Sequence, residues 1–415
     1  MKEILKFQKI FQKIMSTKAF MLTLSFVGLF LVSIGVSVAV FSFILKNPAT
    51  LISLGGIEEK RSRVDLNLPK TEECPINGAM FTKAERNIWE TRRPITAMIE
   101  NHADSRPQAG LTRADVVYEA VAEGGITRFL TVFYCGASGG DVMIRPIRSA
   151  RSYYINWAAE YGDKPLFVHQ GGANNICNNC PGGVKPYGDV DPSVDVYKIL
   201  DKIDWSNGRY GNDMDGQTNL GFPTIVRMEW KPDVAWEHRV TGYTDLLYDE
   251  AAKRGFAAKD EKGIAWDNKF ILWKFSDDKP LSSPVASDIS FEFWSNKSDY
   301  DVEWRYDQSG NVYKRFNGGK EHTDIESKEQ LSAKNIVVMF VKEKGPVDKE
   351  GHMFYTVTGS GSMKVFQNGD AIEGTWKKAS TLDRTRFVDG SGKEVSFVRG
   401  PIWIEVVPVG NEVKY

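Results

Sequence analysis

One uninterrupted stretch constrains this chain more than any other feature. From Ala19 to Leu45 it reads AFMLTLSFVGLFLVSIGVSVAVFSFIL, 27 residues without a charge. Roughly 20 apolar residues suffice to cross a bilayer as a helix, and a soluble helix this apolar on every side would have no face for water. Five lysines (Lys2, Lys6, Lys9, Lys13, Lys18) precede it against one acid, Glu3, so residues 1–18 carry a surplus of four positive charges. The positive-inside rule then keeps the N-terminus in the cytoplasm and exports everything after Leu45. A cleaved signal peptide is the rival reading, with Ser37 and Ala39 as a small-residue cleavage site. The apolar stretch is long for a signal core and continues past that site. No cysteine lies near it, so a lipidated-Cys anchor is not available.

Charge elsewhere is mildly acidic. The whole chain is at −1, so the part after residue 18 carries −5. A broad basic field for nucleic acid is absent, and nucleic acid is excluded as a partner. The composition, 42% hydrophobic and 26% charged over 415 residues, is that of a globular chain of more than one domain.

Export changes how the four cysteines are read. Cys74, Cys135, Cys177 and Cys180 allow two disulfides in three connectivities. Cys177-Asn-Asn-Cys180 has the spacing of a redox pair or half a zinc site, yet its surroundings, GGANNICNNCPGG, form an Asn/Gly turn with no helix behind to lower a thiol pKa. Zinc would need ligands brought from afar. No metal or cofactor is expected.

Residues 1–18 read as a cytoplasmic arm, 19–45 as the membrane helix and 46–73 as a linker. From 74 to about 260 strands and helices alternate. Ile95–Ile99, Ala114–Ala122, Thr127–Tyr134 and Pro165–His169 read as strands, and Ser149–Tyr161 and Thr244–Arg254 as helices. From 261 to 415 short β-type runs follow one another, with Asn368-Gly369 and Asp389-Gly390 as turn pairs. The expected fold class is α+β: a mixed α/β first domain, a mainly antiparallel β second domain, and one N-terminal transmembrane helix.

Two sets of segments resemble a known family. RPITAMIENHADSRPQAGLTRADVVYEAVAEGGITRFLTVFY, RPIRSARSYY and LFVHQGG look like the first domain of the bacterial YerB-like lipoproteins, also called DUF3048. YKRFNGGKEHTD, AKNIVVMF, GSGSMKVFQNGDAIEGTWKK and GPIWIEVVP look like that family's second domain. The resemblance covers roughly residues 74–410. It implies a membrane-attached envelope protein of two fused domains whose activity is not established. The chain departs from the pattern twice. A helix stands where family members carry a lipidated Cys, and His238-Arg239 stands where they usually carry His-Asn, which leaves a role borrowed for that Asn without support.

Three constellations could carry chemistry. Arg145, Arg148 and Arg151 recur every third residue, and a helix starting near Ser149 would let them and its first amides converge on one anion. The structural alternative pairs them with Glu119, Glu123 and Asp115. Glu123, just before Gly124-Gly125, is the best-placed acid for glycan cleavage, with His169 or His102 as its partner. His102 and His169 sit at ends of short apolar strands, where α/β sites commonly lie, and His238 follows Trp236. No HExxH or P-loop motif is present, and no GxSxG nucleophile elbow, since the turn that holds SGGD at 138–141 leads into no helix. The expectation is an extracytoplasmic protein that binds an anionic cell-wall polymer or an envelope protein through Arg145, Arg148, Arg151 and His238. The alternatives are a wall hydrolase or lyase using Glu123, and a non-catalytic scaffold.

Overall fold

Short apolar runs bounded by glycine, proline or polar residues set the strands of the core. The computed structural model describes residues 2–15, 18–46, 64–175, 190–206, 210–231 and 233–415. Its contacts divide the chain into Met1–Ser62 and Arg63–Tyr415.

In the first unit, α1 spans Lys2–Met15 and α2 spans Lys18–Lys46. The long helix expected at 19–45 is therefore present. Among the described residues, however, no helix is long and apolar enough to cross a membrane. The helix stands, and the structure does not support the crossing expected of it. Most of the linker expected at 46–73 lies outside the described residues; its last four residues, Lys70–Glu73, are a strand.

The second unit is built on a ten-stranded sheet. Its strands are β1 (Ile95–Glu100), β2 (Val116–Glu123), β3 (Ile126–Phe133), β4 (Leu166–His169), β5 (Asp213–Asp215), β6 (Asn335–Val341), β7 (Gly359–Gln367), β8 (Asp370–Lys378), β9 (Arg386–Asp389) and β10 (Ile402–Pro408). The spatial order is β9-β8-β7-β6-β10-β2-β3-β1-β4-β5. Five strands come from each sequence half. They meet where β10 runs parallel to β2, with Glu405 opposite Glu119. The two expected domains thus share one sheet; the second is mainly antiparallel, as expected, although β10 also pairs in parallel with β6.

Local chemistry explains the parts. β1, β2, β6 and β10 are buried almost throughout, as continuous apolar runs covered on both faces must be. Asn368 and Gly369 both have positive φ (58° and 74°) in the hairpin between β7 and β8, a turn that needs such residues. A smaller antiparallel sheet holds 288–291, 302–307, 312–317, 320–321, 332–333 and 413–414. The helices of this unit are short: α3 (Lys83–Trp89), α4 (Ser152–Ala158), α5 (Val196–Lys202) and α6 (Thr244–Lys253). α4 lays Tyr153, Tyr154 and Trp157 on the sheet, with Trp157 stacked 5.3 Å from Tyr118. Cys74 and Cys135 are disulfide-bonded, tying the entry of the folded unit to the end of β3. Cys177 and Cys180 lie outside the described residues.

Candidate functional site

β1 and β3 are antiparallel neighbours with Glu100 opposite Arg128, so the charged residues at their ends fall into one belt. At one side Glu123, the last residue of β2, accepts hydrogen bonds from Arg128 (Nη2, 2.9 Å) and Arg151 (Nη2, 2.5 Å; Nε, 3.1 Å). Two guanidinium groups therefore face one carboxylate. Burial pushes the Glu123 carboxyl up, but Arg128 and Arg151 outweigh it and hold the group well below the usual carboxylate range. Such a carboxylate has no proton to give at neutral pH, so Glu123 does not have the environment of a general acid. Gly124 and Gly125 form the β2–β3 turn at positive φ. A side chain at Gly125 would meet Lys297 and Trp294, whereas the space beside Gly124 is open.

At the other side Glu100 accepts from Arg148 Nε (2.9 Å) and pairs with His238 Nδ1 (2.6 Å). His102 stacks on His238 with ring centres 5.1 Å apart. The sequence candidates Arg148, His238 and His102 are thus brought together, and Arg148 keeps 27% of its side chain exposed. Arg145 is not with them. It lies buried with its guanidinium 4.6 Å over Trp230.

The expected three-arginine cradle does not form, and the cause is where the helix begins. α4 starts at Ser152, with Arg151 as its extended cap residue. Arginines three residues apart in extended chain are separated by roughly 10 Å, so each reaches a different partner. The structural alternative holds in one of its pairs, Arg151 with Glu123. Glu119 is instead taken by Arg315, and Asp115 by the backbone N–H groups of Tyr134 and Gly136.

His169 ends β4, as expected of a site histidine, but it is sealed. Nδ1 meets the Gly171 carbonyl (2.8 Å) and Nε2 meets Asp213 (2.6 Å), with Asp215 at 3.8 Å. Burial alone would depress its pKa; Asp215 and Asp213 reverse that and raise it to about 9. It is a buried imidazolium that fastens β4 to β5, with no nitrogen left to act as a base. Nor, among the described residues, does a metal site emerge. Cys74, Asp115 and Cys135 lie together, but the two sulfurs are bonded to each other and are not thiolate ligands.

An open cleft of about 300 Å³ adjoins the belt. Ser149, Arg151, Tyr197 and Gln217 line it from the first sequence half, Glu350 and His352 from the second. His352 is also bridged to Glu123 through the backbone. Tyr197 spends its hydroxyl on Asp215 (2.6 Å). The sequence reading overlooked His352, although Asp348 four residues earlier was a signal: Nδ1 sits 2.9 Å from the Asp348 carboxylate. A larger cleft of about 840 Å³ lies over the smaller sheet, but Glu292, Asp301, Glu303, Glu343 and Glu412 line it, and carboxylates repel an anion.

Comparison with known proteins gives concordant results. The family model described as the N-terminal domain of DUF3048, a protein of unknown function, matches residues 81–185, and the model of its C-terminal domain matches 289–404. A Bacillus subtilis (strain 168) protein named "Putative lipoprotein YerB" is 29% identical over 342 residues, covering 82% of this chain and 87% of that protein. The crystal structure of YerB from Bacillus subtilis superimposes with a TM-score of 0.62 at 23% identity, covering 83% of this chain and all of that one, a likeness of fold.

Proposed function

We propose, for a chain that belongs to the DUF3048 family through both of its domains, that it is an extracytoplasmic envelope protein holding an anionic group of a wall polymer. The binding place is the cleft between its two sequence halves. One observation carries this reading: Arg128 and Arg151 share a single carboxylate, Glu123, beside an open cleft, so guanidinium charge exceeds carboxylate charge at the Arg151 wall, with Glu350 on the opposite sequence half. Arg148, three residues before Arg151 and 27% exposed, adds a further guanidinium at the other side of the belt, where Glu100 is its partner. A phosphate or carboxylate suits these guanidinium groups; Arg145, buried under Trp230, has no part.

The envelope location rests on two supports. The Cys74–Cys135 disulfide fits an oxidising compartment. In α2 the consecutive residues Phe26 and Val27, and then Leu29 to Val32, are all exposed, Leu29 by 74%. Apolar surface on every side of a helix is costly in water and favourable in lipid, so we read α2 as the anchor, with the lysines of α1 on the cytoplasmic side.

The test is retention of the detergent-solubilised full chain on isolated cell wall bearing its anionic polymer. Retention is expected to weaken with added salt and to fall in Arg148→Ala and Arg151→Ala. Unchanged retention in both variants rules the assignment out.

A further inference from the structure

The cleft contains one element that binding alone does not use. Asp348 is strapped in place by the backbone N–H groups of Asp191 (3.1 Å), Glu350 (3.1 Å) and His352 (3.2 Å). Its carboxylate in turn holds His352 Nδ1, at 2.9 Å and 3.1 Å from its two oxygens. Burial raises the Asp348 pKa, but the bonds from His352 and the backbone outweigh it and keep the group ionised. An ionised carboxylate on Nδ1 fixes the tautomer, so the lone pair of Nε2 is the free one. His352 is 8% exposed and lines the cleft, and among the described residues Nε2 has no partner. Ser149, on the same cleft, has a hydroxyl with no partner among the described residues either.

The other histidines do not offer this. His169 has both nitrogens occupied. His322 accepts from Arg315 and meets Gln108, wholly buried. His238 has a carboxylate on Nδ1, but His102 covers its ring and it lines neither cleft described above. A base oriented by an acid, a free hydroxyl and a surplus cation around one opening are the parts that ester hydrolysis needs.

We propose that this cleft hydrolyses a carboxylic ester carried by an anionic wall component, with His352 as general base. The proposal rests on the binding reading above for its choice of substrate. Nε2 takes a proton from a water, and that water's oxygen adds to the ester carbonyl. The negative charge that develops on the carbonyl oxygen meets the Ser149 hydroxyl and the field of Arg151. The C–O bond to the alcohol then breaks, and the imidazolium returns its proton to the leaving alkoxide. The products are a carboxylic acid and an alcohol, with water the sole co-reactant. Asp348 is a positioning residue.

The experiment uses the full chain in detergent with two chromogenic esters, 4-nitrophenyl acetate and the anionic 4-nitrophenyl hemisuccinate. Release of nitrophenolate above buffer is expected, with the anionic ester favoured. His352→Gln should lower kcat about 100-fold or more, the scale of a lost general base. Asp348→Asn should lower kcat with KM unchanged. Wall retention is measured in parallel on the native chain. No turnover by the native chain, or native turnover in His352→Gln, overturns the proposal. Loss of wall retention with turnover intact overturns the binding reading and leaves the hydrolytic one standing.

Discussion

Glu119 and Glu405 stand opposite each other across the parallel pairing of β2 and β10, and Arg315 donates to both, at 2.5 Å each. All three side chains are fully buried. Two acids against one base leave a negative excess in a dry place, and burial raises the Glu405 pKa beyond what Arg315 and the Trp304 indole can offset. The joint between the two sequence halves is therefore ionic at its centre and aromatic around it, since Arg315 also lies 4.6 Å from the Trp403 ring.

Removing Arg315 should be severe. In Arg315→Met two carboxylates remain buried without a cation, and breaking a buried pair from one side costs about 3–5 kcal/mol. Urea unfolding of the variant should show a midpoint far below that of the native chain. In contrast, Arg305→Ala, an exposed pair with Glu303, should change stability by less than about 1 kcal/mol. Equal effects from the two would refute the central role of Arg315.

The pH dependence of stability follows from three raised groups. Burial lifts Asp115 to about 7 from an ordinary 3.8, against the backbone N–H bonds from Tyr134 and Gly136. His169 rises to about 9 from 6.5, and Glu405 is raised as described. For each, the folded chain holds a proton that the unfolded chain releases. The stability they supply is fully present below the unfolded pKa and is lost as pH rises through the folded one. The windows are about 3.8–7 for Asp115 and about 6.5–9 for His169, at up to 1.4 kcal/mol per pH unit per group. Glu123 acts oppositely, since its depressed pKa costs stability only as pH falls below about 4.5. Denaturation should be harder at pH 5.5 than at pH 8.5, and the reverse order would contradict the assignment. Asp115→Asn should flatten the lower part of that slope.

The strands of the sheet were legible because each is a short apolar run bounded by glycine, proline or polar residues, and β1, β2, β3 and β4 fall where those runs do. Their partners were not. Nothing near Glu119 signals that its cation is Arg315, 196 positions away, because pairing between distant strands leaves no local pattern. The arginine triplet misled for a different reason: helix starts are written in caps, and α4 begins three residues later than its aromatic spacing suggests. His352 was hidden by its setting, a turn among β runs with no apolar element pointing to it.

Reduction of Cys74–Cys135 should destabilise the folded unit. The bond closes a loop of sequence separation 61, for which the chain-entropy account gives roughly 4 kcal/mol. A lower urea midpoint in dithiothreitol, matched by Cys74→Ala with Cys135→Ala, is the expected outcome. An unchanged midpoint would mean the β3 end is held without it.

Glu123→Gln separates the two roles offered for the cleft. If Glu123 were a catalytic acid, the amide would abolish hydrolysis and leave binding alone. In the structure it is a counter-ion, so the amide leaves Arg128 and Arg151 without their negative partner. Stability should fall by about 2–4 kcal/mol, since Arg128 is almost fully buried. The charge facing the cleft rises by one at the same time. Retention on anionic wall should therefore hold or strengthen in Glu123→Gln and resist salt longer than in the native chain, provided melting curves show the variant folded at the working temperature. Weaker retention by a folded variant would show that the carboxylate, and not the surplus arginine charge, is what the ligand meets.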